Sequence, residues 1–114
     1  MTSDPEDFLP VKPAAVHILM SLGREERYGY AIMKEVAERT TGRVKLQAGA
    51  LYRSLGRLVD DGLVVELDER RVAQAGEDVR RRYYGLTPLG RAVLAAELER
   101  MGELSALGRE WGLI

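Results

Sequence analysis

The chain has 114 residues, 46% of them apolar and 31% charged, which suits one compact domain and leaves an elaborate catalytic architecture unexpected. Seventeen Lys and Arg stand against eighteen Asp and Glu, so any attraction for a polyanion must come from where the charges lie. Cysteine is absent and His17 is the single histidine, which excludes a disulfide framework, a thiolate nucleophile and a Cys/His zinc site; no enzyme activity, cofactor or metal is expected.

The start, Met1-Thr2-Ser3-Asp4-Pro5-Glu6-Asp7, is acidic where a secretory signal would be basic. No apolar run approaches the roughly 18–20 residues that span a bilayer, so a cytoplasmic protein without membrane contact is expected. Residues 1–11 read as a mobile, Pro-punctuated lead in which only Phe8 and Leu9 could clip onto another element or a partner chain. From Pro13 a short helix is predicted by the spacing of Ala14, Ala15, Ile18, Leu19 and Leu22, with Gly23 ending it. Arg24-Glu25-Glu26-Arg27 reads as a connector. Tyr28-Gly29-Tyr30 opens a second helix with the apolar face Ile32, Met33, Val36 and Ala37, which stops near Thr40-Thr41-Gly42.

A third helix is predicted from about Gln47 to Asp61, with Leu51, Leu55 and Leu58 stacked on one side and Gly62 as its cap. At about 100° per residue the opposite side carries Arg53, Gly56, Arg57 and Asp60, flanked by Tyr52 and Ala50, and has no apolar reason to be buried. Leu63–Leu67, with Leu63, Val65 and Leu67 on one side, and Arg82–Leu86 read as the two strands of a hairpin. Their link, roughly Asp68 to Arg81, exceeds the usual two to five residues, so a projecting flexible arm is expected around the tip Ala73-Gln74-Ala75-Gly76. Thr87 as N-cap and Pro88 start a last helix of about 24 residues, about 36 Å long. Its apolar stripe overhangs so small a domain and needs a second surface. A twofold copy of the chain is the simplest supply, with Leu94, Leu98, Met101, Leu104, Leu107 and Trp111 as the predicted dimer interface.

The fold class is thus mainly α with a β-hairpin: a lead at 1–11, a winged helix-turn-helix domain at 12–87 and a dimerisation helix at 88–114. From Arg39 to Val59 there are five basic residues and no acid, in a chain of net charge −1. The arm adds Arg70, Arg71, Arg80, Arg81 and Arg82. Third helix and hairpin are the elements that such folds set against a duplex, and cations there release counterions from phosphates. Gln47, Tyr52, Arg53 and Arg57 are the candidates for reading bases, with Lys45, Arg80, Arg81 and Arg82 as further DNA contacts.

The sequence resembles the PadR-like transcriptional regulators, specifically short members ending soon after one long helix. The resemblance runs from Leu9-Pro10-Val11-Lys12-Pro13 through Tyr28-Gly29-Tyr30-Ala31-Ile32, Ala50-Leu51-Tyr52-Arg53-Ser54-Leu55 and Arg57-Leu58-Val59-Asp60-Asp61-Gly62-Leu63-Val64 to Arg81-Arg82-Tyr83-Tyr84-Gly85-Leu86-Thr87-Pro88-Leu89-Gly90-Arg91. It implies a homodimeric repressor of a palindromic double-stranded operator, relieved by a small apolar or aromatic effector, with Tyr52 and Arg53 on the DNA-facing helix and Arg80–Arg82 on the wing. The chain departs from the pattern at Ala48-Gly49-Ala50, where relatives often carry Pro-Gly-Thr, at Gly56, where they often carry a cation, and in the acids Glu77 and Asp78 near the wing tip.

Each sharp assignment has a plainer counterpart. Arg53 and Arg57 could form a solvated face partnered by Asp60 and Asp61, Tyr52 could roof the core, and the wing arginines could serve solubility. Tyr84 is expected in the core and Tyr83 at the surface, Tyr28 and Tyr30 in packing, and His17 on a helix flank. Trp111 is read as interface packing or as part of an effector pocket. The paired acids Asp60/Asp61 and Asp68/Glu69 diverge and make no catalytic dyad, and no P-loop is present. The alternative function is a winged-helix module that docks a protein through the same helix face.

Overall fold

Apolar residues three and four apart draw three short helices around one core. α1 (Pro13–Ser21) buries Val16, Ile18 and Leu19, α2 (Gly29–Arg39) buries Ile32 and Val36, and α3 (Ala48–Asp60) buries Leu51, Leu55 and Leu58. The structure, a computed structural model, describes residues 4–74 and 77–114, without the side chains of 71–79. Each fully buried aliphatic side chain contributes about 1.5–3 kcal/mol before chain entropy is set against it.

α3 ends at Gly62, whose φ of +78° lies in the left-handed region that favours glycine. Leu63 N donates to Leu58 O (2.9 Å) and Gly62 N to Val59 O (3.0 Å), the paired bonds of a Schellman termination. Thr87 then joins this end to the start of α4 (Pro88–Glu110): its hydroxyl donates to Gly62 O (2.6 Å) and accepts from Gly90 N (2.9 Å). The approach is so close that a β-carbon on Gly90 would lie 1.9 Å from Leu63 O.

The hairpin is longer and more regular than the sequence predicts. β2 (Val64–Gln74) and β3 (Glu77–Leu86) pair antiparallel from Val64↔Leu86 out to Gln74↔Glu77, with a bulge between Glu66 and Glu69. The expected loose link from Asp68 to Arg81 is therefore strand, apart from Ala75 and Gly76 of the expected tip, which lie outside the described residues. No apolar alternation marks this stretch. Charge pairs across the ladder stand in its place: Arg82 with Glu66 and Glu69 (3.5 Å each) and Arg80 with Glu69 (3.8 Å). At its inner end the core takes Leu63 and Val64, whereas Val65 is 41% exposed, so the expected Leu63/Val65/Leu67 side is not the buried one.

A third strand replaces the end of the expected connector. β1 (Arg27–Tyr28) pairs with Tyr84 and Tyr83, giving the sheet order β1-β3-β2. The Tyr28 and Tyr83 rings lie 5.5 Å apart, and the Arg70 guanidinium sits 4.3 Å over Tyr83 while bonding Glu26 at 2.6 Å. These stacked groups fasten the wing base to the start of α2.

The lead does not stand apart. Pro5–Phe8 forms a 3-10 turn against α4, Phe8, Leu9 and Val11 pack half-buried on the core, and Val11 N donates to Glu97 of α4. α4 buries Val93, Leu94 and Glu97 and then runs on exposed. Leu94, expected in the dimer stripe, is 7% exposed within the protomer's own core, because the first turns of α4 lie over the helices. The radius of gyration, 15.7 Å, exceeds the roughly 13–14 Å of a compact chain of this length, as a hairpin and a helix both projecting from the core require.

Candidate nucleic-acid interface

α2, its turn and α3 form the helix-turn-helix. Thr41 (φ +54°) and Gly42 (φ +76°) reverse the chain, and the Thr40 hydroxyl holds the turn by donating to Val36 O (2.8 Å) and accepting from Val44 N (3.0 Å). Val44 and Leu46 pack on the core, so Lys45 and Gln47 alternate outward and are exposed. Gln47 is the N-cap of α3, yet its side chain makes no capping bond. It is thereby available to an outside partner.

Leu51, Leu55 and Leu58 face inward on α3, and Gly49, Arg53, Gly56, Arg57 and Asp60 are exposed on the other side. Among the described residues Lys45, Arg53 and Arg57 form no ion pair, so Asp60 and Asp61 do not neutralise them. The Arg53 Nη1 atom lies 3.3 Å from the place of a β-carbon on Gly49, which sets its charge over the first turn, at the positive end of the helix. Tyr52 is 50% exposed and leans on Gly29 at the start of α2. It neither leaves the protein surface nor enters the core.

The remaining cations divide. Arg80 and Arg82 are exposed but engaged with Glu66 and Glu69; exposed pairs of this kind are worth about 0–1 kcal/mol, so a phosphate can displace them. Arg81 is half-buried. Arg39 drops out of the basic set, because it bonds Glu35 (2.8 and 3.0 Å) and both the ring and carbonyl of His17 (3.2 Å each), stapling α2 to α1.

One residue escapes the sequence reading altogether. Glu97 is counted there among the acids of α4, but it is buried, bonded to Arg100 and to Val11 N. The Arg100 hydrogen bond, then the Val11 N–H, hold its carboxyl below the usual glutamate range against the opposing push of burial. Its position on the apolar side, four residues after Val93 and three before Arg100, is the signal that could have found it. Burial foremost, with the Glu66 carboxylate beside it, raises the Tyr84 hydroxyl above the usual tyrosine value, in keeping with its place in the core.

Beyond Glu97 the same side of α4 continues as Leu98, Met101, Leu104, Leu107 and Trp111, all exposed, with Trp111 at 66%. Among the described residues no three His, Cys, Asp or Glu converge as metal ligands, and no helix is long and apolar enough to cross a membrane.

A helix-turn-helix with a bare cationic second helix, a hairpin wing beside it and a long terminal helix defines the winged-helix class of transcription regulator. Residues 18–96 match the Transcriptional regulator PadR-like family, and the chain belongs to it. A PadR family transcription regulator from hypervirulent Clostridium difficile R20291 superposes with a TM-score of 0.70 at 26% identity, over 85% of this chain and 95% of that one. Bacillus subtilis PadR, solved in complex with operator DNA, superposes with a TM-score of 0.62 at 25% identity over 78% of this chain and 48% of that one, so this chain spans about half its length. An uncharacterised protein X of Lysinibacillus sphaericus is 30% identical over 90 residues, 79% of each chain.

Proposed function

We propose that this regulator binds a palindromic double-stranded operator as a homodimer and represses transcription. In this reading residues 12–87 are the DNA-binding unit and 88–114 the dimerisation helix. Gln47, Tyr52, Arg53 and Arg57 read bases or grip the backbone, and Lys45 and Arg80–Arg82 meet phosphates. The observation that carries it is the exposed side of α3, where Arg53 and Arg57 stand without partners in a first turn that holds no acid. The stripe Leu98, Met101, Leu104, Leu107 and Trp111 supports self-association, since it prolongs the buried side of α4 past the end of the protomer's own core. Relief by a small effector rests on kinship alone.

Titrating salt against duplex affinity tests the reading. Each neutralised phosphate contributes a slope of about −0.9 in log K against log salt, so a dimer using several cations per protomer should lose orders of magnitude between about 50 and 200 mM. An affinity indifferent to salt, or no duplex binding at low salt, would refute it and leave α3 as a docking face for a protein.

A further inference from the structure

A cleft of 370 Å³ opens between the lead, the first turn of α1 and one flank of α3. Phe8, Val11 and Ala14 wall one side, Ala50 and Leu58 the other. Lys12, Arg53 and Arg57 bring three cations to its lining against one acid, Asp61, and among the described residues none of the three is in an ion pair. Apolar walls favour an apolar body, and uncompensated guanidinium groups favour a carboxylate head, which they bind through charge-assisted forked hydrogen bonds. A 150 Å³ cavity accommodates benzene, about 25 Å³ per atom; by that ratio the cleft takes about 15 non-hydrogen atoms.

We propose that this cleft is a binding site for a small apolar carboxylate, whose occupation withdraws Arg53 and Arg57 from the duplex. The second half of that statement rests on the assignment of α3 to DNA. Carboxylate binding itself does not. The lead wall is held in place through Val11 N and Glu97, so the site belongs to the folded core and is not a chance gap beneath a loose end.

Calorimetry on the full chain without DNA, using 2-naphthoate and decanoate as probes and 2-naphthylmethanol as the neutral control, tests the first half. At least one carboxylate should bind once per chain and at least tenfold tighter than the alcohol, with amide shifts confined to residues 8–15 and 50–61. The ring and chain probes decide which body the walls prefer. Lys12→Gln, an exposed change that leaves the core alone, should weaken binding about fivefold, and Ala14→Trp should abolish it by filling the space. No binding of either carboxylate, or binding unaltered by Lys12→Gln and mapped to the α4 stripe, overturns the site.

With a duplex present, the carboxylate should weaken duplex binding by the same factor as the duplex weakens carboxylate binding. Simultaneous, independent binding overturns the competition. Carboxylate binding in a chain that never binds DNA would sink the operator reading and spare the cleft, whereas DNA binding without carboxylate binding would do the reverse.

Discussion

The phenol of Tyr52 on α3 occupies the space a side chain on Gly29 would need: its hydroxyl oxygen lies 2.3 Å, and its Cζ 2.7 Å, from the position of a β-carbon there. Gly29 is helical with φ outside the left-handed region, so alanine would suffer no backbone strain and would act only by displacing the ring. Gly29→Ala should therefore cost about 1–2 kcal/mol in the native chain, as overpacking does. In a Tyr52→Ala background the same change should be neutral or stabilising by up to about 1 kcal/mol. A urea double-mutant cycle measures the coupling, and additive effects would contradict the contact.

Gly56 presents the opposite case. Nothing lies within 4 Å of a β-carbon built on it, in the middle of α3 between Arg53 and Arg57. Gly56→Ala should stabilise the fold by up to about 1 kcal/mol through helix propensity. The added methyl stands on the face assigned to the duplex, so DNA affinity should fall at least threefold while the melting temperature rises. Unchanged affinity would place the duplex elsewhere.

The wing and α3 should fail differently. Replacing Arg80 and Arg82 together by Ala breaks exposed pairs with Glu66 and Glu69, a stability change below about 1 kcal/mol. It should weaken operator and random DNA alike, flattening the salt slope by about 0.9 for each lost phosphate contact. Arg53→Ala should instead relax preference at one base position per half-site, worth about 1–3 kcal/mol. Equal losses on all sequences for Arg53→Ala would remove it from the bases.

Glu97 makes stability depend on pH in a defined direction. Its folded carboxyl titrates below the usual glutamate value, through Arg100 first and Val11 N second. The stabilisation is therefore complete above the unfolded value and lost as pH falls from there toward the folded one. Glu97→Gln should cost about 1–2 kcal/mol at neutral pH, because the charge-assisted bonds weaken. It should also remove part of the acid sensitivity seen in urea midpoints. Parallel pH profiles for the two proteins would contradict the role given to this carboxylate.

The helices and their capping were legible because periodicity and capping chemistry act locally: Pro13, Gly62, Thr87 and Pro88 punctuate the chain where the structure does. The outward side of α3 was legible for the same reason, since three leucines at helical spacing leave Arg53 and Arg57 no inward option. What escaped depends on partners far along the chain. β1 exists because Tyr28 meets Tyr83, the outer hairpin because Glu66 and Glu69 face Arg82, and the burial of Glu97 because Val11 comes to it from 86 residues away. Arg39 looked like part of the basic patch because charge was counted along the sequence, while its neighbours in space are Glu35 and His17.

The most direct test of the whole account is selection of bound sequences by the native protein from a random duplex pool. Two α3 helices carried by one clasped pair should recover a palindrome whose half-sites lie about one helical turn, 34–36 Å, apart. Recovery of no enriched sequence, or of a single unpaired half-site, would contradict it.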